Sequence, residues 1–205
     1  MFEGFLMKLH KNADDVANYL YCLGVLEKNA AYLYMSLAEK MEWPLVKSMI
    51  LQIAYDSQKH SAVLQGIVQS ISASKKKPES CANNLKHALD SISSVSKEIS
   101  RKGKITELDF ASIEGELTVL ESVFVEEYSV MIDLETLRLM SRKICEVYKL
   151  DLGNLGNTFL NIIRDEDTHR SLLADIRRLF LTRQEKRVDN PPMVKYQNPD
   201  AWIRY

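Results

Sequence analysis

Residues 53–64 read IAYDSQKHSAVL and residues 162–173 read IIRDEDTHRSLL. Isoleucine, aspartate, histidine and leucine hold equivalent places: Ile53 and Ile162, Asp56 and Asp165, His60 and His169, Leu64 and Leu173. Side chains three and four apart share one face of a helix. Glu166 and His169 therefore face the same way, among Phe159, Ile162, Leu173 and Ile176. His60 sits likewise among Ile53, Val63, Leu64 and Ile67. The repeat predicts two helices of like design, each turning a histidine toward an apolar core.

Each repeat belongs to a longer helical pattern. The first helix is expected over 13–41, with Asn12 as N-cap and the stripe Val16, Leu20, Leu23, Ala30, Ala31, Tyr34, Leu37, Ala38 and Met41. Trp43-Pro44 breaks it, and proline suits the first turn of the next helix, 44–72. The short connection makes an antiparallel hairpin of 13–73. The polar stretch 74–78 (SKKKP) leads to a thinner helix, 79–101, with the stripe Leu85, Leu89, Ile92, Val95 and Ile99. We read this as an inserted, partly exposed helix. Thr106 with Asp109 forms a variant capping box that opens a second hairpin, 107–181. Its first helix is expected to run to about Tyr148 on the stripe Val119, Val123, Val130, Leu137, Met140, Ile144 and Val147. Its second is expected over 155–181, after the turn at Gly153 and Gly156. The tail, 182–205, carries Pro191-Pro192, Pro199 and Trp202 and is expected to be extended, packing on the bundle or on a neighbouring subunit. Residues 1–181 thus read as a single all-α domain.

The bulk numbers agree. In 205 residues there are only 7 glycines and 5 prolines, too few for the turns of a strand-rich fold. Basic and acidic residues balance at 27 and 28, so charge gives no reason to expect nucleic acid or an anionic membrane as partner. No stretch approaches the roughly 20 apolar residues of a membrane span. Met1 to His10 does not read as a signal peptide. Cys22, Cys81 and Cys145 form no CxxC pair; Cys22 and Cys145 read as reduced core thiols, which suits the cytoplasm. Tyr32, Tyr34 and Tyr128 read as core residues, His10 and His87 as surface residues, and Met35, Met41, Met49, Met131 and Met140 as core fill.

The chemistry lies in the inward polar groups. Glu27 has Leu20, Leu23, Gly24, Ala30, Ala31 and Tyr34 one and two turns away. A carboxylate in such a place must be protonated, paired or bound to a cation. Glu27 lies about as far before Trp43 as His60 lies after it, so the two meet at one height in the hairpin. Carboxylates and imidazoles converging inside a bundle suit a transition metal. Without one, Glu27 and His60 would form a buried pair.

On Glu27, His60 and the Glu166-x-x-His169 motif, the chain resembles the ferritin-like superfamily, which includes rubrerythrins and ferritins. The resemblance covers roughly residues 13–73 and 119–181. It implies a four-helix bundle with a Glu on each of two helices and Glu-x-x-His on each of the other two. Two departures stand out. Ser57 occupies the place of a glutamate, with Asp56 beside it. The third-helix acid is open among Asp133, Glu126, Glu127 and Glu135; Asp133, on the expected core stripe and at a suitable distance from the turn, is preferred. The expected ligand set is Glu27, His60, Asp133, Glu166 and His169.

The resemblance further implies a di- or mononuclear iron site, with manganese or zinc as other occupants, and oxidation of ferrous iron or reaction with dioxygen or peroxide. It implies a homodimer or higher oligomer, and a separate protein as electron donor. The competing reading is a non-enzymatic helical interaction protein with a vestigial site, its contact surfaces being the inserted helix and the aromatic tail.

Overall fold

In the computed structural model the described residues are 13–71, 81, 85–132 and 155–189. Among them the chain is all-α, with five helices and no strand. We label these α1 (Ala13–Glu39), α2 (Pro44–Ile71), α3 (Lys86–Arg101), α4 (Glu107–Ile132) and α5 (Leu155–Asp189). Among the described residues, no helix is long and apolar enough to cross a membrane.

The first hairpin follows the expected pattern. The end of α1 tightens through Lys40 N–H to Leu37 O and Met41 N–H to Ala38 O, and Lys47 N–H donates to Trp43 O to start α2. α1 and α2 pack closely at Gly24. A Cβ there would meet the Leu64 Cβ at 3.4 Å, and the Ser61 hydroxyl donates to Gly24 O at 2.7 Å. Of the expected core, Leu20, Leu23, Leu37, Ile53 and Leu64 are buried, while Val63, expected beside His60, is 36% exposed, and Ile50 is buried in addition.

α3 buries Ala88, Ile92, Val95 and Ile99 along one stripe and leaves its other face polar and open. It packs against α1 and α4. The Lys40 ammonium donates to Ile99 O and Lys102 O, both at 2.6 Å, placing a cation on the carbonyls at the C-terminal end of α3. Cys22 on α1 is bonded to Cys81, with Cα atoms 5.1 Å apart. The expectation of a reduced Cys22 was therefore wrong, and with it goes the cysteine argument for a reducing compartment. Nothing in the spacing of the two residues in sequence announces the bond.

The Thr106–Asp109 box forms as expected. Thr106 N–H and hydroxyl donate to the Asp109 carboxylate at 2.9 and 2.6 Å, and Asp109 N–H donates back to Thr106 Oγ1 at 3.2 Å. Beyond it the expected phase of α4 fails. The buried stripe is Phe110, Ile113, Leu117, Leu120, Phe124 and Tyr128, while Val119 is 61% exposed and Val123 only half-buried. The aromatic and leucine side chains bury more apolar area than the valines, so they set the inward face. α5 packs on α4 and α2. It runs through Asp189, correcting the expected stop near Leu181. Tyr32 is 58% exposed beneath the Lys28 ammonium and is not a core residue. His87 is exposed, as expected. Asp133, Glu135, Cys145, His10 and residues 190–205 lie outside the described residues, as does the expected continuation of α4 to Tyr148.

Replacing Thr106 by Ala removes the side chain that caps α4, and should cost about 1 kcal/mol of stability. A lower urea midpoint with an unchanged slope would be the sign; an unchanged midpoint would mean the box contributes nothing.

Candidate metal centre

Five fully buried polar residues meet between the helices: Glu27 on α1, His60 on α2, Glu121 on α4, and Glu166 and His169 on α5. Four were expected. The fifth, Glu121, is an acid of α4 that the sequence reading did not consider. Of the candidates considered, Glu126 is exposed, Glu127 is half-buried and accepts a hydrogen bond from Tyr19, and Asp133 and Glu135 lie outside the described residues.

Glu166 stands at the middle. Its Oε1 lies 2.9 Å from His60 Nδ1, and its Oε2 lies 3.2 Å from His169 Nδ1. Each imidazole has a second carboxylate beside the same nitrogen. Glu27 Oε1 is 3.4 Å from His60 Nδ1, and Glu121 Oε2 is 3.0 Å from His169 Nδ1. Two sets result, Glu27–His60–Glu166 and Glu121–Glu166–His169. Within each, the facing atoms lie within 4.8 Å of one another, so each set could hold a metal ion.

The outer nitrogens are held across the bundle. His60 Nε2 lies 3.0 Å from Asp165 of α5, and His169 Nε2 lies 3.4 Å from Asp56 of α2. The Lys59 ammonium donates to both aspartates, at 2.7 Å to Asp56 and 2.9 Å to Asp165. A carboxylate on the far nitrogen holds a proton there, so that Nδ1 would be free to present its lone pair to an ion at the centre. Asp56 thus supports a histidine of the opposite helix, and does not fill the place of the missing glutamate.

Phenols brace the two single glutamates, again by exchange. Tyr128 of α4 donates to Glu27 Oε1 at 2.5 Å, and Tyr34 of α1 donates to Glu121 Oε1. Burial first, and the adjoining carboxylates second, push both phenols far above their ordinary range, so they stay neutral donors. Tyr34 and Tyr128 are core residues as expected, with a polar duty the sequence reading did not assign. Each follows its own helix's glutamate by seven residues (Glu27 to Tyr34, Glu121 to Tyr128), two helical turns, and this repeated spacing is the signal that could have found Glu121.

One half of the centre is less satisfied than the other. His169 Nδ1 is hydrogen-bonded to Glu121 and Glu166. Around His60, the buried atoms Glu27 Oε2, Ser57 Oγ, His60 Nδ1 and Glu166 Oε1 have no hydrogen-bond partner among the described residues. The close approach of His60 Nδ1 to its carboxylates is an ion-pair distance without hydrogen-bond angles. Burial and the neighbouring Glu27 charge raise the Glu166 carboxyl well above the usual range. Burial would lower His60, but the Glu166 and Glu27 carboxylates overcome it and lift the imidazolium to about 10. His169 is raised too, burial again being outweighed by Glu121 and Asp56.

No protein-family model, curated protein or solved structure matches the chain.

The metal-free protein should therefore lose stability with rising pH. Folded His60 keeps a proton that the unfolded chain gives up above pH 6.5, so its contribution is complete below that value and gone once pH passes about 10. The descent has a limiting slope of about 1.4 kcal/mol per pH unit for each retained proton. Urea titrations of chelator-treated protein between pH 6 and 10 measure it, and His60→Asn should make it shallower. Stability that holds level or rises over this range would contradict the assignment.

Proposed function

We propose that the protein is a metal-binding helical bundle of the ferritin-like type, with two neighbouring ion positions sharing Glu166, and that it works as an oxidoreductase on dioxygen, peroxide or ferrous iron. The observation that carries the reading is the set of buried donor atoms around His60 that lack hydrogen-bond partners among the described residues, together with two imidazoles whose Nδ1 atoms face shared carboxylates. Buried polar atoms left unpaired cost about 1–3 kcal/mol each, and a cation would use several of them at once.

Three carboxylates and two imidazoles form a hard, anionic, partly nitrogenous set, which suits iron first, then manganese, with zinc as a ready substitute. Iron held there would supply the electrons for reduction of the oxidant. The chain's own residues do the rest. Glu166, with one oxygen beside His60 Nδ1 and the other beside His169 Nδ1, would serve both positions. Glu27 and Glu121 each complete one position and are kept in place by Tyr128 and Tyr34. Asp165 and Asp56 hold the imidazoles in the tautomer that presents Nδ1. Apolar neighbours such as Leu23, Ala30, Phe124, Phe159 and Ile162 keep bulk water from the centre. The three cysteines form no CxxC pair, and we assign the supply of electrons to a separate protein partner.

Metal analysis of protein purified without an affinity tag and loaded anaerobically with ferrous iron tests this. Wild type should hold about two ions per chain, Glu121→Ala about one, and Glu166→Ala none held tightly. Wild type without metal, in a folded protein, would overturn the reading and favour a bundle whose buried carboxylates and imidazoles simply neutralise one another.

A further inference from the structure

The two halves of the centre correspond residue by residue: Glu27 with Glu121, Tyr34 with Tyr128, Asp56 with Asp165, and His60 with His169. The correspondence breaks at one place. Opposite Glu166, which offers an oxygen toward each imidazole, stands Ser57. Its side chain is 0% exposed and its hydroxyl has no hydrogen-bond partner among the described residues. This is unlike the other serines of α2. Ser48 and Ser70 donate to carbonyls of their own helix, and Ser61 donates to Gly24 O. A helical serine has such a carbonyl within reach by default, so a buried one that leaves it unused has its hydroxyl available for something else.

Charge and size say what that is. Two divalent ions bring four positive charges, and Glu27, Glu121 and Glu166 supply three negative ones. Relative to a glutamate, Ser57 keeps Cβ and sets an oxygen near the position of Cγ. What it lacks is a carboxylate group, the size of formate.

We propose that the centre binds a small monocarboxylate, of one or two carbons, at Ser57 as the counterpart of Glu166, with the Ser57 hydroxyl donating a hydrogen bond to it. This rests on the metal-binding reading above. It gives the centre an exchangeable fourth carboxylate where the internal repeat would place a permanent one, so that the second acid is a ligand from solution.

The test uses full-length protein loaded with cobalt(II), with metal content measured first on the same sample. Formate is then titrated at constant ionic strength while the visible cobalt spectrum is followed. The expected result is a saturable change at one formate per chain, with hexanoate binding at least about tenfold more weakly. Ser57→Ala, which removes the donor without adding bulk, should weaken formate roughly tenfold. Ser57→Glu, which supplies the carboxylate from the chain, should bind both ions and no longer respond to formate. A wild-type protein that carries two cobalt ions and shows no response to formate overturns this inference and leaves the metal reading standing. Formate binding unchanged in both variants overturns it as well. A folded wild type that takes up no cobalt overturns the metal reading, and this inference with it.

Discussion

The structure turns on one buried carboxylate placed between two imidazoles. Glu166 is fully enclosed, and its oxygens lie 2.9 Å from His60 Nδ1 and 3.2 Å from His169 Nδ1. Glu27 and Glu121 are enclosed beside it. Three carboxylates cannot share a dry interior uncompensated, because each loses its hydration and repels the others. The surrounding polar architecture supplies the compensation. In the metal-free protein the imidazoles hold protons, and the Glu166 carboxyl is driven toward its neutral form. With ions bound, the same atoms face a positive charge and no proton is needed.

The supporting groups are all exchanged between helices. α1 lends Tyr34 to the glutamate of α4, and α4 lends Tyr128 to the glutamate of α1. α5 lends Asp165 to the histidine of α2, and α2 lends Asp56 to the histidine of α5. Lys59 then ties the two aspartates together. Moving any one of these four helices would therefore break contacts at residues of another, so the centre and the helices around it hold each other in register. The disulfide from α1 to Cys81 and the Lys40 contacts to the end of α3 attach the added helix to this frame without entering it.

The parts that depend on local pattern were legible beforehand. The break at Trp43-Pro44, the Thr106–Asp109 box and the repeat around His60 and His169 lie within a few residues of chain, and each formed as read. Glu27 was legible because its apolar neighbours are unambiguous. Glu121 was not, for two physical reasons. A valine run on α4 suggested a face about two residues out of phase with the one that leucines and aromatics bury. Counting back from Gly153 also assumed a symmetric hairpin, while Glu121 stands much farther from that turn than Glu166 does. The cross-helix pairs, His60 with Asp165 and Tyr128 with Glu27, were invisible because partners more than a hundred residues apart leave no local trace. The Cys22–Cys81 bond, between residues 59 apart, likewise leaves no local trace.

The central claim is that the two carboxylate–imidazole sets are ion positions. A crystal structure of the manganese-loaded protein, with anomalous scattering recorded near the manganese edge, tests it most directly. The account predicts two anomalous peaks, one between His60 Nδ1, Glu27 and Glu166 and one between His169 Nδ1, Glu121 and Glu166. Electron density that keeps His60 and His169 in contact with their carboxylates and shows no anomalous peak between them, at full manganese occupancy of the solution, would contradict it.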